Sequence, residues 1–171
     1  MQYDQIKRDV ESFKKIVSSC GLNGYCAIGS LILEYCLECH GIKAELVKGY
    51  LVIEDTYWVL HIWNRVHVSD QVRQIDVVHS VAKEMGFTTQ YTFVLKDKWK
   101  SVVDTKEEQM NYNNIIEFFR LYQEDGRENA IKYLSRNRDK RVDEAWMAIF
   151  DRVACLRTFQ SIGKYKQVFF G

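Results

Sequence analysis

The chain of 171 residues has no proline and only nine glycines. It also lacks a Gly/Ser-rich linker, an internal repeat or a low-complexity tract. With no such boundary to divide it, the sequence reads as a single domain, 1–171, large enough to bury a core. Charge of one sign is missing too. The 24 basic residues stand against 23 acidic ones, and a net charge of +1 gives no general pull toward nucleic acid or an anionic membrane. No apolar run is long enough to span a bilayer, and the first ten residues carry no apolar signal core. The expected compartment is therefore the cytoplasm, where the five cysteines read as free thiols rather than a disulfide framework. Absence of G-x-x-x-x-G-K-[ST], G-x-G-x-x-G and H-E-x-x-H removes the common nucleotide-binding and zinc-hydrolase readings.

What is present is a change of texture near residue 100. Ile6, Val10, Phe13 and Ile16 form one stripe and predict a helix over 3–19. A second helix is predicted over 25–40, stopped by Gly41 at the C′ position. Alternating segments predict strands over 44–53, 57–68 and 71–77, then a short helix over 78–85 and a strand over 91–95. Beyond that the chain turns helical. Ile115, Phe118, Phe119 and Tyr122 share one face, as do Val142, Trp146, Ile149, Phe150, Val153 and Leu156, with a helix or a helix and loop over 126–140 between them. Those aromatic stripes read as core packing. The basic cluster Arg136, Arg138, Lys140 and Arg141, interleaved with Asp139, Asp143 and Glu144, reads as a solvated face.

Chemistry concentrates in the first half. Cys26 follows Gly24-Tyr25 and opens the apolar run Ala27 to Leu33, so it falls at a helix start, where backbone N–H groups and the macrodipole favour a thiolate. Cys20, Cys36, Cys39 and Cys155 read as buried thiols without chemistry. Downstream, His61 and Asp76 lie on successive predicted strands joined by a polar turn near Ser69-Asp70. A two-residue turn sets Trp63 opposite Asp76, with His61 one diagonal step away; a four-residue loop sets His61 opposite Asp76 directly. Both registers put imidazole and carboxylate on one face, as a cysteine's base and its orienting acid require.

These residues resemble the transglutaminase-like superfamily, the branch of papain-like enzymes whose Cys-His-Asp triad is carried by one helix and the adjoining sheet. The resemblance covers roughly the first half of the chain: Gly24-Tyr25-Cys26, the run Cys39 to Tyr50, His61-Ile62-Trp63-Asn64-Arg65-Val66, and Ile75-Asp76. It implies an α+β papain-like core over about 1–100, a Cys-bearing helix packed on a small antiparallel sheet, with a helical C-terminal extension over about 105–162. It also implies Cys26 as nucleophile, His61 as general base and then acid, and Asp76 as orienter. The family often has a proline after the Gly-Ile step, an acidic residue where Arg65 stands and a Trp near Val72; this chain has none of the three.

The oxyanion would be held by the Cys26 backbone N–H and one side-chain donor, for which Asn23 and Tyr25 are available by position. Trp63 either walls the substrate cleft or packs the sheet. His67 and His79 are alternative bases that read as surface groups. Cys36-Leu37-Glu38-Cys39-His40 matches the C-x-x-C-H pattern of haem attachment, but it closes an amphipathic helix in a chain without a visible export signal. Zinc there would need a second pair of ligands that the sequence does not supply. No metal and no cofactor are expected. The expectation is a cysteine-dependent acyl-transfer enzyme acting on an amide or thioester of a protein, peptide or small-molecule substrate, as a peptidase, amidase, deamidase or transglutaminase. The alternative is a catalytically inactive binding or scaffold module of the same fold.

Overall fold

Ile6, Val10, Phe13 and Val17 recur at steps of three and four residues, and their segment folds as α1, Tyr3–Ser19, with all four enclosed. Ile16, expected on that stripe, is half-buried at its margin and Val17 takes the inner place. The computed structural model describes residues 1–53, 57–83, 92–94 and 106–171. Next comes α2, Cys26–Glu38, in which 11 of 13 residues are buried. A helix apolar on nearly every side is a central one, and α2 lies between the sheet and the C-terminal elements. Gly41, at φ +69°, ends it in a Schellman motif: its N–H bonds the Glu38 carbonyl at 2.9 Å, and the Ile42 N–H bonds that of Leu37 at 3.0 Å.

The sheet is antiparallel throughout, in the order β3-β2-β1-β4, with β1 Ala44–Ile53, β2 Tyr57–Val68, β3 Gln71–Ile75 and β4 Thr92–Val94. A two-residue turn, with Ser69 at φ 57°, sets Val68 against Gln71. This is the first of the two registers the sequence allows. The third strand ends at Ile75, two residues earlier than predicted. Val77 and Val78 leave the ladder and bury their side chains in the core shared with α2. After them a 3-10 turn, Val81–Lys83, occupies part of the helix predicted over 78–85; positions 84, 85, 91 and 95 lie outside the described residues.

The C-terminal half supplies α3 Lys106–Glu124, α4 Arg127–Arg136, α5 Lys140–Val153 and α6 Lys166–Phe170, with 3-10 turns at Arg157–Phe159 and Ile162–Tyr165. One cluster of buried side chains runs from Ile6 through α2 to Phe169. Polar contacts tie the halves together. Asp9 accepts from the Thr158 backbone N–H at 2.8 Å and its hydroxyl at 2.6 Å, and Phe13 stacks on Phe159 at 4.6 Å. Tyr122 donates to Glu34 at 2.9 Å, and Arg127 lies 3.9 Å from the ring centre of Tyr35.

Two expectations are corrected here. Arg138 is not part of a solvated face: its side chain is buried, bonded to Asp143 at 2.5 Å and to the Phe169 carbonyl at 2.8 Å, because it anchors α6 to α5. Arg136, Lys140 and Arg141 are exposed. Among the thiols read as buried, Cys36 is enclosed but Cys20 is half-exposed and Cys39 and Cys155 are exposed. No described helix is long and apolar enough to cross a membrane.

Where α2 passes the 77–78 segment it presents Gly29. A Cβ at that position would overlap Cγ2 of Val78, so the helix and the segment carrying Asp76 approach more closely than any side chain permits. Gly29→Ala is expected to destabilise the fold by about 1–3 kcal/mol despite the better helix propensity of alanine. Adding Val78→Ala is expected to return part of that loss, read by urea denaturation. Strictly additive losses would show that the close approach is not the cause.

Candidate active site

Three chain segments converge on one imidazole. The first is the turn before α2. Gly24 sits at φ +92° and its N–H bonds the His79 carbonyl at 2.8 Å; a Cβ there would come within 2.7 Å of Val81 Cγ1. This pins the entry of α2 to the chain just beyond Asp76. Cys26 is the first residue of α2, and no side chain caps the helix at Tyr25. The first-turn amides are therefore not consumed by a capping group.

The second segment is β2. His61 stands across the ladder from Gly49, so the directly opposed position on β1 carries no side chain. The third is the end of β3, where Asp76 follows directly on Ile75. The ring Nε2–H of His61 donates to Asp76 Oδ1 at 2.6 Å, and the ring's other side-chain partner is the Cys26 sulfur. With Nε2 engaged by the carboxylate, Nδ1 is the nitrogen left for the thiol. All three groups are enclosed: Cys26 is 2% exposed, His61 1% and Asp76 8%.

The electrostatics follow from this enclosure. Burial by itself would drive the imidazole toward its neutral form. The Asp76 carboxylate and then Cys26 outweigh it and raise the His61 pKa to about 10. Burial likewise opposes ionisation of Asp76, but the charge and hydrogen bond of His61, followed by the charge of Lys14, hold its carboxyl below the ordinary value. At neutral pH His61 is thus an imidazolium between an anionic carboxylate and a sulfur. Such a group can hold a proton at Nδ1, close to whatever is bonded to that sulfur.

Sequence reasoning missed Lys14. It projects from α1 into the same buried region, with Nζ 3.7 Å from Asp76 Oδ2 and both side chains 5% exposed. Its signal was its phase, since Lys14 falls on the apolar stripe of α1, four residues after Val10. His79, read as a surface group, is half-buried beside these charges. Its pKa is lowered to about 4 by burial and then by the positive charges of Lys14 and Lys83, so it stays neutral where His61 is charged. His67 instead pairs with Glu45 at 3.2 Å, the same carboxylate that Arg65 approaches at 3.6 Å.

Of the oxyanion candidates, Asn23 is buried with one amide hydrogen donated to Ser18 Oγ at 3.2 Å. Tyr25 is half-buried and packs against the core at the head of α2. Trp63 is wholly enclosed, and its Nε1–H donates to Gln74 Oε1 at 2.5 Å. Among the described residues no group of three or more His, Cys, Asp or Glu side chains is placed to hold a metal ion.

The pairing makes stability depend on pH with a definite sign. His61, raised above its ordinary 6.5, contributes stability that is fully present below pH 6.5 and is lost as the pH rises through about 10. Asp76, lowered from 3.8, contributes stability that is present above that value and is lost as the pH falls through its folded value. Urea unfolding between pH 6.5 and 9 is expected to show a decline that Asp76→Asn flattens. An imidazole NMR titration is expected to place the His61 midpoint well above that of an ordinary histidine in the parent, and lower in the variant. An ordinary midpoint in both proteins would rule the pairing out.

Comparison with protein-family models, with curated proteins and with solved structures finds no match to this chain, so the chemistry of these side chains carries the functional argument.

Proposed function

We propose that the protein is a cysteine-dependent acyl-transfer enzyme of transglutaminase-like, papain-like design, acting on an amide or thioester carbonyl of a protein, peptide or small molecule. The observation that carries this reading is the unbroken series Cys26, His61, Asp76, drawn from a helix start, a strand and the end of the next strand. A cysteine nucleophile needs a base within reach and a group that fixes the base's tautomer. Asp76 on Nε2 fixes it, and Lys14 helps keep Asp76 anionic.

In the proposed mechanism the Cys26 sulfur, its proton carried on His61 Nδ1, adds to the carbonyl carbon, and the carbonyl oxygen takes up negative charge near the uncapped amides of α2. As the carbon–nitrogen or carbon–sulfur bond breaks, His61 delivers its Nδ1 proton to the leaving group, and an acyl thioester remains on Cys26. Water or an amine then adds to that thioester while His61 takes a proton from the attacking group. Collapse expels the sulfur and gives hydrolysis or transamidation. The sequence balances without a cofactor. Five free thiols suit a reducing compartment such as the cytoplasm.

A second reading, a non-catalytic binding or scaffold module, draws on the deep burial of the Cys26 sulfur and on Arg65 standing where the resembled family often has an acid. A small activated acyl donor, p-nitrophenyl acetate, separates the two. The enzyme reading expects a stoichiometric burst, an acetyl group mapped to Cys26 by mass spectrometry, loss of both in Cys26→Ala, and a slowing of about 10²-fold or more in His61→Ala. A folded parent that acetylates Cys26 no faster than the exposed Cys155 would support the module instead.

A further inference from the structure

Cys39 stands at the opposite end of α2 from Cys26, one residue past the last helical position, and it is exposed. Its sulfur lies 2.8 Å from the Tyr165 hydroxyl. A second hydroxyl, Ser161 Oγ, is buried and has no hydrogen-bond partner of its own, and it acts on the sulfurs of both Cys39 and Cys36. The ammonium of Lys164 adds positive charge. Two hydroxyls and a lysine from the 161–165 segment therefore converge on one accessible sulfur.

We propose that Cys39 is a site of reversible S-thiolation by a low-molecular-weight disulfide such as oxidised glutathione, independent of any chemistry at Cys26. The Cys39 sulfur attacks one sulfur of the disulfide. The new sulfur–sulfur bond forms as the old one breaks, and glutathione leaves as a thiolate that takes up the proton Cys39 released. Excess thiol reverses the step by the same route.

Each neighbour has a part in this selectivity. The hydrogen bond from Tyr165, then the buried Ser161 hydroxyl and the charge of Lys164, lower the Cys39 pKa from its ordinary 9.0, against burial and Glu38. Tyr165 keeps its proton to donate, its own pKa raised to about 12 chiefly by that bond. Cys36, one turn earlier, is fully enclosed and burial pushes its thiol up to about 12, which withholds it from exchange. Cys155 is exposed like Cys39, but its thiol donates to the Arg152 carbonyl at 3.3 Å, and it serves as the internal reference. Modification at Cys39 would also separate it from Tyr165, whose ring packs on Tyr35 at 4.8 Å and helps seat the C-terminal turn on α2.

The test is exchange with oxidised glutathione at pH 7, followed by peptide mapping of all five cysteines. Glutathione is expected on Cys39 at a rate of order 10-fold above Cys155, with Cys39 in Tyr165→Phe falling to the Cys155 rate. Ser161→Ala, which leaves the Tyr165 ring in place, is expected to give a smaller slowing and serves if the first variant unfolds. Equal rates at Cys39 and Cys155 in the folded parent, or no slowing in either folded variant, overturn the proposal. Because the readout is the modified residue, it stands or falls apart from the acylation of Cys26.

Discussion

A carboxylate withdrawn from water must be met by positive charge or by donors, because an ion left alone in the interior costs several kcal/mol. Asp76 imposes that condition on its surroundings. It lies at the end of β3, where Val77 and Val78 turn into the core, and its two oxygens are addressed from different elements. Oδ1 takes the imidazole from β2 and Oδ2 faces the ammonium from α1. The first helix, the central strand and the strand that follows are therefore bound together electrostatically at the point where α2 begins. With the Cys26 sulfur on the imidazole's other side, charges of alternating sign extend from His61 through Asp76 to Lys14. Each member makes the next easier to bury.

The elements with strong periodicity were legible in the sequence. The predicted bounds of α1, β1 and β2 agree with those observed, and the alternation of the 57–68 and 71–77 segments suffices to put His61 and Asp76 on one face. What was not legible came from side chains whose environment contradicts their type. Lys14 and Asp9 both fall in phase with the apolar stripe of α1, yet charged residues default to the surface in any reading by composition. Arg138 sits inside a run of charge that looks solvated, and only the docking of α6 reveals its role. Cys39 errs in the other direction. It keeps the spacing of the buried stripe, but the helix ends one residue before it and the protection ends there too.

The C-terminal half is part of the same packing problem. The Arg157–Phe159 turn meets α1 through Thr158 and Phe159, while Glu34 and Tyr35 of α2 receive Tyr122 and Arg127. A helix as apolar as α2 needs cover on the side away from the sheet, and these elements supply it. The polar contacts set angle and depth, and the burial of Phe13, Trp146, Phe150 and Phe169 supplies the driving force.

The two-residue connection at Ser69-Asp70 limits how this chain can drift over generations. Side chains alternate along a strand, so inserting or deleting a single residue between β2 and β3 would turn Asp76 away from His61, whereas a change of two would restore the face. Length variation at an exposed surface turn, ordinarily the cheapest kind for a protein to accumulate, is here allowed only in even steps.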